Sequence, residues 1–118
     1  MQYLCLIYYD EKKLEAMPES ERNAMYEEAY AYYDGLVKNG HGIAGDALQS
    51  VQSAKSVRIQ KGKTFITDGP YVETKEQVGG YILMEAKDLA QAIRLASDIP
   101  PARMGGVEVR PVWNMAGR

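Results

Sequence analysis

The sequence predicts an α+β domain in the order β-α-β-hairpin-β-α-β, and three observations predict it. Apolar runs of strand length recur as YLCLIYY at 3–9, GGYILMEA at 79–86 and GGVEVRPVW at 105–113. Two stretches with helical spacing follow the first two runs, one stopped by Asn39-Gly40 and the other by Pro100-Pro101. SVRIQ and KTFITD alternate on either side of Lys61-Gly62, a pair that suits a two-residue hairpin turn. With 118 residues and no linker, repeat or low-complexity segment, the chain reads as one domain, 1–118.

Each element has its own reason. In the first strand Tyr3, Cys5, Ile7 and Tyr9 alternate with Leu4, Leu6 and Tyr8, so both faces are apolar and the strand belongs in the middle of a sheet. A helix is predicted from Pro18, which suits the first helical position, with Glu19 and Glu21 at the positive end of its dipole. Met25, Tyr26, Ala29, Tyr33, Leu36 and Val37 share one broad face. Tyr26, Tyr30, Tyr32 and Tyr33 are expected in core or interface, the alternative being an aromatic ligand box. GIAGDALQ reads as a short strand and SVQSAKS as a polar loop. Asp88 caps the second helix with Gln91 reaching back, and Leu89, Ala92, Ile93 and Ala96 form its apolar stripe. The last strand sets Val107, Val109 and Trp113 against Glu108 and Arg110. Two helices cover one face of such a sheet, so the second apolar face of the first strand calls for a partner subunit. A homodimer is expected.

Composition narrows the function. The chain is 46% hydrophobic and 25% charged, as in ordinary globular domains. Residues 1–40 sum to −4, residues 41–66 to +3 and the remainder to −1. The basic stretch, Lys55, Arg58, Lys61 and Lys63, is small for a nucleic-acid surface, so no direct nucleic-acid partner is expected. Cys5 is the single cysteine, which excludes a disulfide framework, and it is expected to be a buried inert thiol. The run from Tyr3 to Tyr9 is too short for a membrane span or a signal-peptide core. A cytoplasmic protein without a membrane partner is expected.

The chemistry-bearing residues cluster in TDGPYVETKE, 67–76. Asp68-Gly69-Pro70 can serve simply as a sharp strand exit, or Asp68 can act as an acid or base with Glu73 nearby. His41, the lone histidine, follows a helix C-terminus and is either structural or a general base beside Asp68 or Asp46. Arg110 is either an anion anchor or the salt-bridge partner of Glu108, Glu85 or Asp68. Tyr71 and Tyr8 are expected in the wall of the same substrate cleft. No second histidine or phosphate-binding motif is present, so neither a metal nor another cofactor is expected.

The long segment TDGPYVETKEQVGGYILMEAKDLAQAIRLASDIP, with YLCLIYYD, GIAGDAL and VEVRPV, resembles the YCII-related proteins and within them the DGPF-type branch. Tyr71 stands where the branch has phenylalanine. The resemblance implies a ferredoxin-like domain assembled into a dimeric α/β barrel. It also implies an enzymatic centre of histidine and aspartate. Asp68 carries over, whereas the helix segment RNAMYEE has no histidine and His41 lies elsewhere. Some DGPF-type domains resemble accessory segments of sigma-factor-type regulators, which implies an indirect transcription link. Two functions are therefore expected in competition. One is a slow enzyme acting on an unknown small anionic molecule in a dimer-lined cleft. The other is a non-catalytic ligand-binding or transcription-associated module.

Overall fold

The computed structural model describes residues 1–114. The chain runs β1 (Gln2–Tyr9), α1 (Glu11–Ala16), α2 (Glu19–Lys38), β2 (Gly42–Ala47), β3 (Lys55–Gln60), β4 (Lys63–Asp68), β5 (Gln77–Glu85), α3 (Leu89–Ala96) and β6 (Gly105–Pro111). Short 3₁₀ turns occupy Val51–Ser53 and Pro100–Met104. β2, β5, β1 and β6 form one antiparallel sheet in that spatial order, while β3 and β4 pair only with each other. The two-sided strand β1 is central, as its composition requires, and the strand order is ferredoxin-like.

The register decides what each face carries. Tyr3 lies opposite Met84 and Pro111, Cys5 opposite Ile82 and Val109, and Ile7 opposite Gly80 and Val107. On this helix-facing side Tyr3, Cys5, Ile7, Ile82 and Met84 form the core with Leu36, Ala86, Ala92, Ala96 and Ile99, and Val107 and Val109 pack against it partly buried. Leu4, Leu6 and Tyr8 point the other way with Leu83, Tyr81, Val78, Glu108 and Arg110. Among the described residues no helix lies over that second face, and its apolar side chains are only half-buried.

Several local expectations shift. Pro18 is the cap before α2 rather than its first residue. The sequence reading missed α1, which Asp10 opens by accepting the Lys12 amide at 3.0 Å. Asp88 caps α3 through the Gln91 amide at 2.9 Å, and the Gln91 side chain returns to the Lys87 amide at 2.7 Å. Only Ala92 and Ala96 of the expected α3 stripe are buried, whereas Leu89 and Ile93 are exposed. Small residues let α3 lie close to the sheet, so the larger side chains sit at its margin. Trp113 follows the end of β6 and is 80% exposed, so it does not continue the Val107–Val109 row. On α2, Met25 and Leu36 are buried but Val37 is exposed.

The hairpin turn takes φ 50° at Lys61 and φ 76° at Gly62, the two positive values that a right-twisted two-residue hairpin needs. Beyond its base, β3–β4 packs on no other element to any extent, so it projects as an arm. The radius of gyration is 16.0 Å, against about 13.5 Å for a compact chain of this length. One sheet, one helix layer and a projecting arm account for the flat 48 × 45 × 18 Å shape.

Cys5 is fully buried, and that burial pushes its thiol up to about 11. At pH 8 it should react with an aromatic disulfide reagent only as fast as the domain unfolds, at a rate independent of reagent concentration. Prompt stoichiometric labelling of the native protein would mean that β1 is not held in the centre of the sheet.

Candidate functional site

The residues expected to form one site separate into three places. Asp68 ends β4 at the base of the arm, paired with Lys55, and its side chain is 86% exposed. Gly69 has φ 96°, a left-handed conformation that glycine adopts without strain. Its amide donates to the Ala54 carbonyl at 2.8 Å, and its own carbonyl accepts the Ser56 hydroxyl at 2.8 Å. Arg58 lies 4.1 Å from the centre of the Tyr71 ring and donates to the Tyr71 carbonyl at 3.1 Å. Gly69 and Tyr71 thus fasten the foot of the arm, with the exposed Asp68–Lys55 pair beside them. Glu73 is exposed on the loop that follows.

His41 lies at the other end of the sheet. Its Nδ1 is 2.8 Å from the Glu85 carbonyl, and its backbone completes the exit from α2 through the Leu36 carbonyl at 2.8 Å. Glu85 ends β5, whereas the loop from Asp68 enters at the start of that strand, Gln77. Nine strand residues span roughly 27 Å, so the structure does not bring His41 and Asp68 together. Arg110 stands on the open face and is ion-paired with Glu108 beside it. His41 is not beside Asp46 either, because Asp46 pairs with Tyr81 in mid-sheet. The Tyr81 hydroxyl donates to the Asp46 carboxylate at 2.7 Å, and this bond raises the phenol's pKa.

Part of TDGPYVETKE does reach a cleft. Thr74, Lys75 and Glu76 meet Tyr8, Asp10 and Lys13 where β1 ends and β5 begins. The loop is fastened from within, by the Thr74 hydroxyl on the Glu76 carbonyl at 2.6 Å and the Gln77 amide on the Val72 carbonyl at 2.7 Å. Of the expected site residues only Tyr8 borders this cleft, and its neighbours Asp10 and Lys13 belong to the start of the unforeseen helix α1.

A different hollow lies on the helix side of the sheet. It has a volume of about 130 Å³ and is lined by Ile7, Tyr9, Met25, Tyr26, Ala29, Tyr30, Tyr33, Gly80 and Ile82, among others. Its cause is a mismatch between α2 and the bulged start of β5. Ile7 pairs with Gly80 and Tyr8 with Val78, leaving Gly79 as the extra residue. A side chain at Gly79 would overlap the Tyr9 ring, and one at Gly45 would meet Tyr33 at 2.9 Å. Aromatic rings therefore lie directly on backbone, while Ala29 opposite them leaves space unfilled. Tyr9 donates to the Gly79 carbonyl at 3.4 Å and Tyr32 to the Leu95 carbonyl at 2.6 Å. Burial raises the pKa of both phenols, so both stay protonated donors at neutral pH. Asp46 and Tyr81, paired across β2 and β5, also border this hollow. Of the four tyrosines expected in core or interface, Tyr32 and Tyr33 pack against the core, whereas Tyr26 and Tyr30 are 39% and 69% exposed, and all four border the hollow.

The model of the YCII-related domain matches residues 1–116. This chain belongs to the YCII-related family. It is 32% identical over 114 residues to Uncharacterized protein R00369 of Rhizobium meliloti (strain 1021), covering 95% of this chain and 92% of that protein. Among solved structures it is similar to the 5-chloro-2-hydroxyhydroquinone dehydrochlorinase TftG from Burkholderia phenoliruptrix AC1100, in complex with 2,5-dihydroxybenzoquinone. That match has a TM-score of 0.58 at 15% identity and covers 100% of this chain and 99% of the other. The likeness confirms the YCII-related domain's α+β architecture over its whole length. Among the described residues, no helix is long and apolar enough to cross a membrane, and no three His, Cys, Asp or Glu side chains are grouped to hold a metal.

Because the Asp68–Lys55 pair is exposed, Asp68→Asn should melt within about 3 °C of the wild type. Calorimetry checks this. A drop above about 5 °C would assign the Asp68 charge a structural task that its surroundings do not account for.

Proposed function

We propose that this YCII-related domain, of the DGPF-type branch, is a homodimer that binds a small planar aromatic or quinone-like molecule in the tyrosine hollow. The observation that carries the reading is the hollow itself: about 130 Å³ of mostly apolar space, walled by rings and bordered by phenolic hydroxyls. Such a site suits a flat ring stacked against tyrosines, with its oxygens at the rim. The dehydrochlorinase of the same fold, captured with 2,5-dihydroxybenzoquinone, supports a ring of this size and oxidation class. Neither Asp68 nor His41 lines the hollow, and Asp46, which does, is engaged by the Tyr81 hydroxyl, which favours binding over acid–base turnover by Asp68. The homodimer has separate support in the open sheet face, where Leu4, Leu6, Tyr8, Val78 and Leu83 form an apolar centre.

Titration with 2,5-dihydroxybenzoquinone as a probe should quench tyrosine fluorescence and raise the melting temperature. Ala29→Leu, which fills the hollow, should abolish both effects while leaving the unliganded protein at least as stable. Equal binding by wild type and Ala29→Leu would move the ligand out of this hollow, and no binding at millimolar probe would sink the proposal.

Leu6→Arg places a cation at the centre of the open face without touching the core. Sedimentation should show wild-type dimers and a folded Leu6→Arg monomer. A Leu6→Arg variant as dimeric as the wild type would rule out pairing through this face.

A further inference from the structure

The β3–β4 arm has two unlike faces. One carries Ser56, Arg58, Thr67 and Phe65, and its base is tied down through Ser56 to Gly69 and Arg58 to Tyr71. The other carries the Lys55–Asp68 pair at its foot and then Val57, Ile66 and Ile59. Those three are 53%, 68% and 74% exposed. A two-stranded hairpin alone is marginal in water, and among the described residues this one packs extensively on no other element. Its stability therefore calls for an external surface.

Charge and area say which surface. The arm carries Lys55, Arg58, Lys61 and Lys63 against Asp68 alone, a net +3, which leaves −5 on the rest of a chain whose total is −2. Two copies meeting through their bodies repel, whereas an arm reaching onto the other body meets opposite charge. The open sheet face is also small: four strands of seven residues cover a footprint of roughly 19 × 23 Å, or about 440 Å². Stable pairs bury about 800 Å² on each partner. An arm with an exposed apolar stripe, continuous with that sheet through the 69–76 loop, is placed to supply the difference.

We infer that the arm is an exchange clasp: in the pair, each arm lies across the body of the second copy, packing Val57, Ile59 and Ile66 against it while its lysines meet the partner's acidic surface. The inference rests on the pairing proposed above and adds a second contact to it. By twofold symmetry both arms engage together, so a weak contact on each counts twice.

Two double variants test the clasp, with sedimentation equilibrium as the readout beside wild type and Leu6→Arg. Ile59→Lys with Ile66→Lys removes the apolar stripe, and Lys61→Glu with Lys63→Glu reverses the charge at the tip. All four residues are exposed, so circular dichroism should be unchanged. Both variants should weaken dimerisation at least tenfold, and 0.5 M salt should weaken the wild type in the same direction. Hydrogen exchange gives an independent reading: amides of β3 and β4 should be protected at high protein concentration and lose protection on dilution below the dimer Kd. Unchanged dimerisation in both double variants, with Leu6→Arg monomeric, would overturn the clasp and leave the sheet-face pairing standing. Weakened dimerisation in the arm variants with Leu6→Arg still dimeric would keep the clasp and overturn the face. A wild type that is monomeric throughout would overturn both, as would arm protection that ignores concentration for the clasp alone.

Discussion

β1 is apolar on both faces, while its own chain supplies helices to only one of them. Tyr3, Cys5 and Ile7 are sealed against α2, α3 and the neighbouring strands. Leu4, Leu6 and Tyr8 are left half-covered on the other side. Burying the first row requires β5 and β6 to flank β1 in fixed register, because a shift by one residue would exchange the two rows. That register then places every other feature. It stations Glu108 and Arg110 as an ion pair on the open face, turns Asp46 and Tyr81 toward each other, and directs Gly80 and Ile82 toward the helices.

The two helices meet this sheet differently. α3 offers alanines, so it approaches β6 and β1 closely, and Ala92 and Ala96 join the core with Cys5. α2 offers tyrosines above a strand that has just bulged at Gly79, and rings cannot close over that irregular floor. The hollow is a consequence of that second contact. Tyr9 and Tyr32 beside it remain protonated because burial disfavours phenolate.

The connection between β2 and β5 could have been a short loop. Instead it carries the arm, footed by the Gly69 turn and the Arg58–Tyr71 stack. The segment from Asp68 to Glu76 therefore serves two ends: its first half secures the arm, and its second half lines the cleft beside Tyr8. An acid-rich stretch in sequence becomes, in space, one exposed ion pair and one self-bonded loop.

Local chemistry was sufficient for some features. The alternation in YLCLIYYD determined a central strand, Lys61-Gly62 determined a hairpin, and Asp88 with Gln91 determined where α3 starts, because each acts within a few residues. The buried state of Cys5 followed from the same alternation. Other features depended on distances that sequence spacing does not encode. Asp68 and His41 belong to opposite ends of β5, and only strand pairing shows it. α1 was hidden because a six-residue helix has too little periodicity to read, although Asp10 holds it open. Trp113 was misassigned because a strand's alternation carries no mark of where pairing stops. The tyrosines of α2 announced an aromatic surface by themselves. Whether they filled a core or walled a hollow was decided by how α2 meets the sheet, where Tyr33 lies against Gly45 of β2 and Tyr9 of β1 lies against the bulged Gly79.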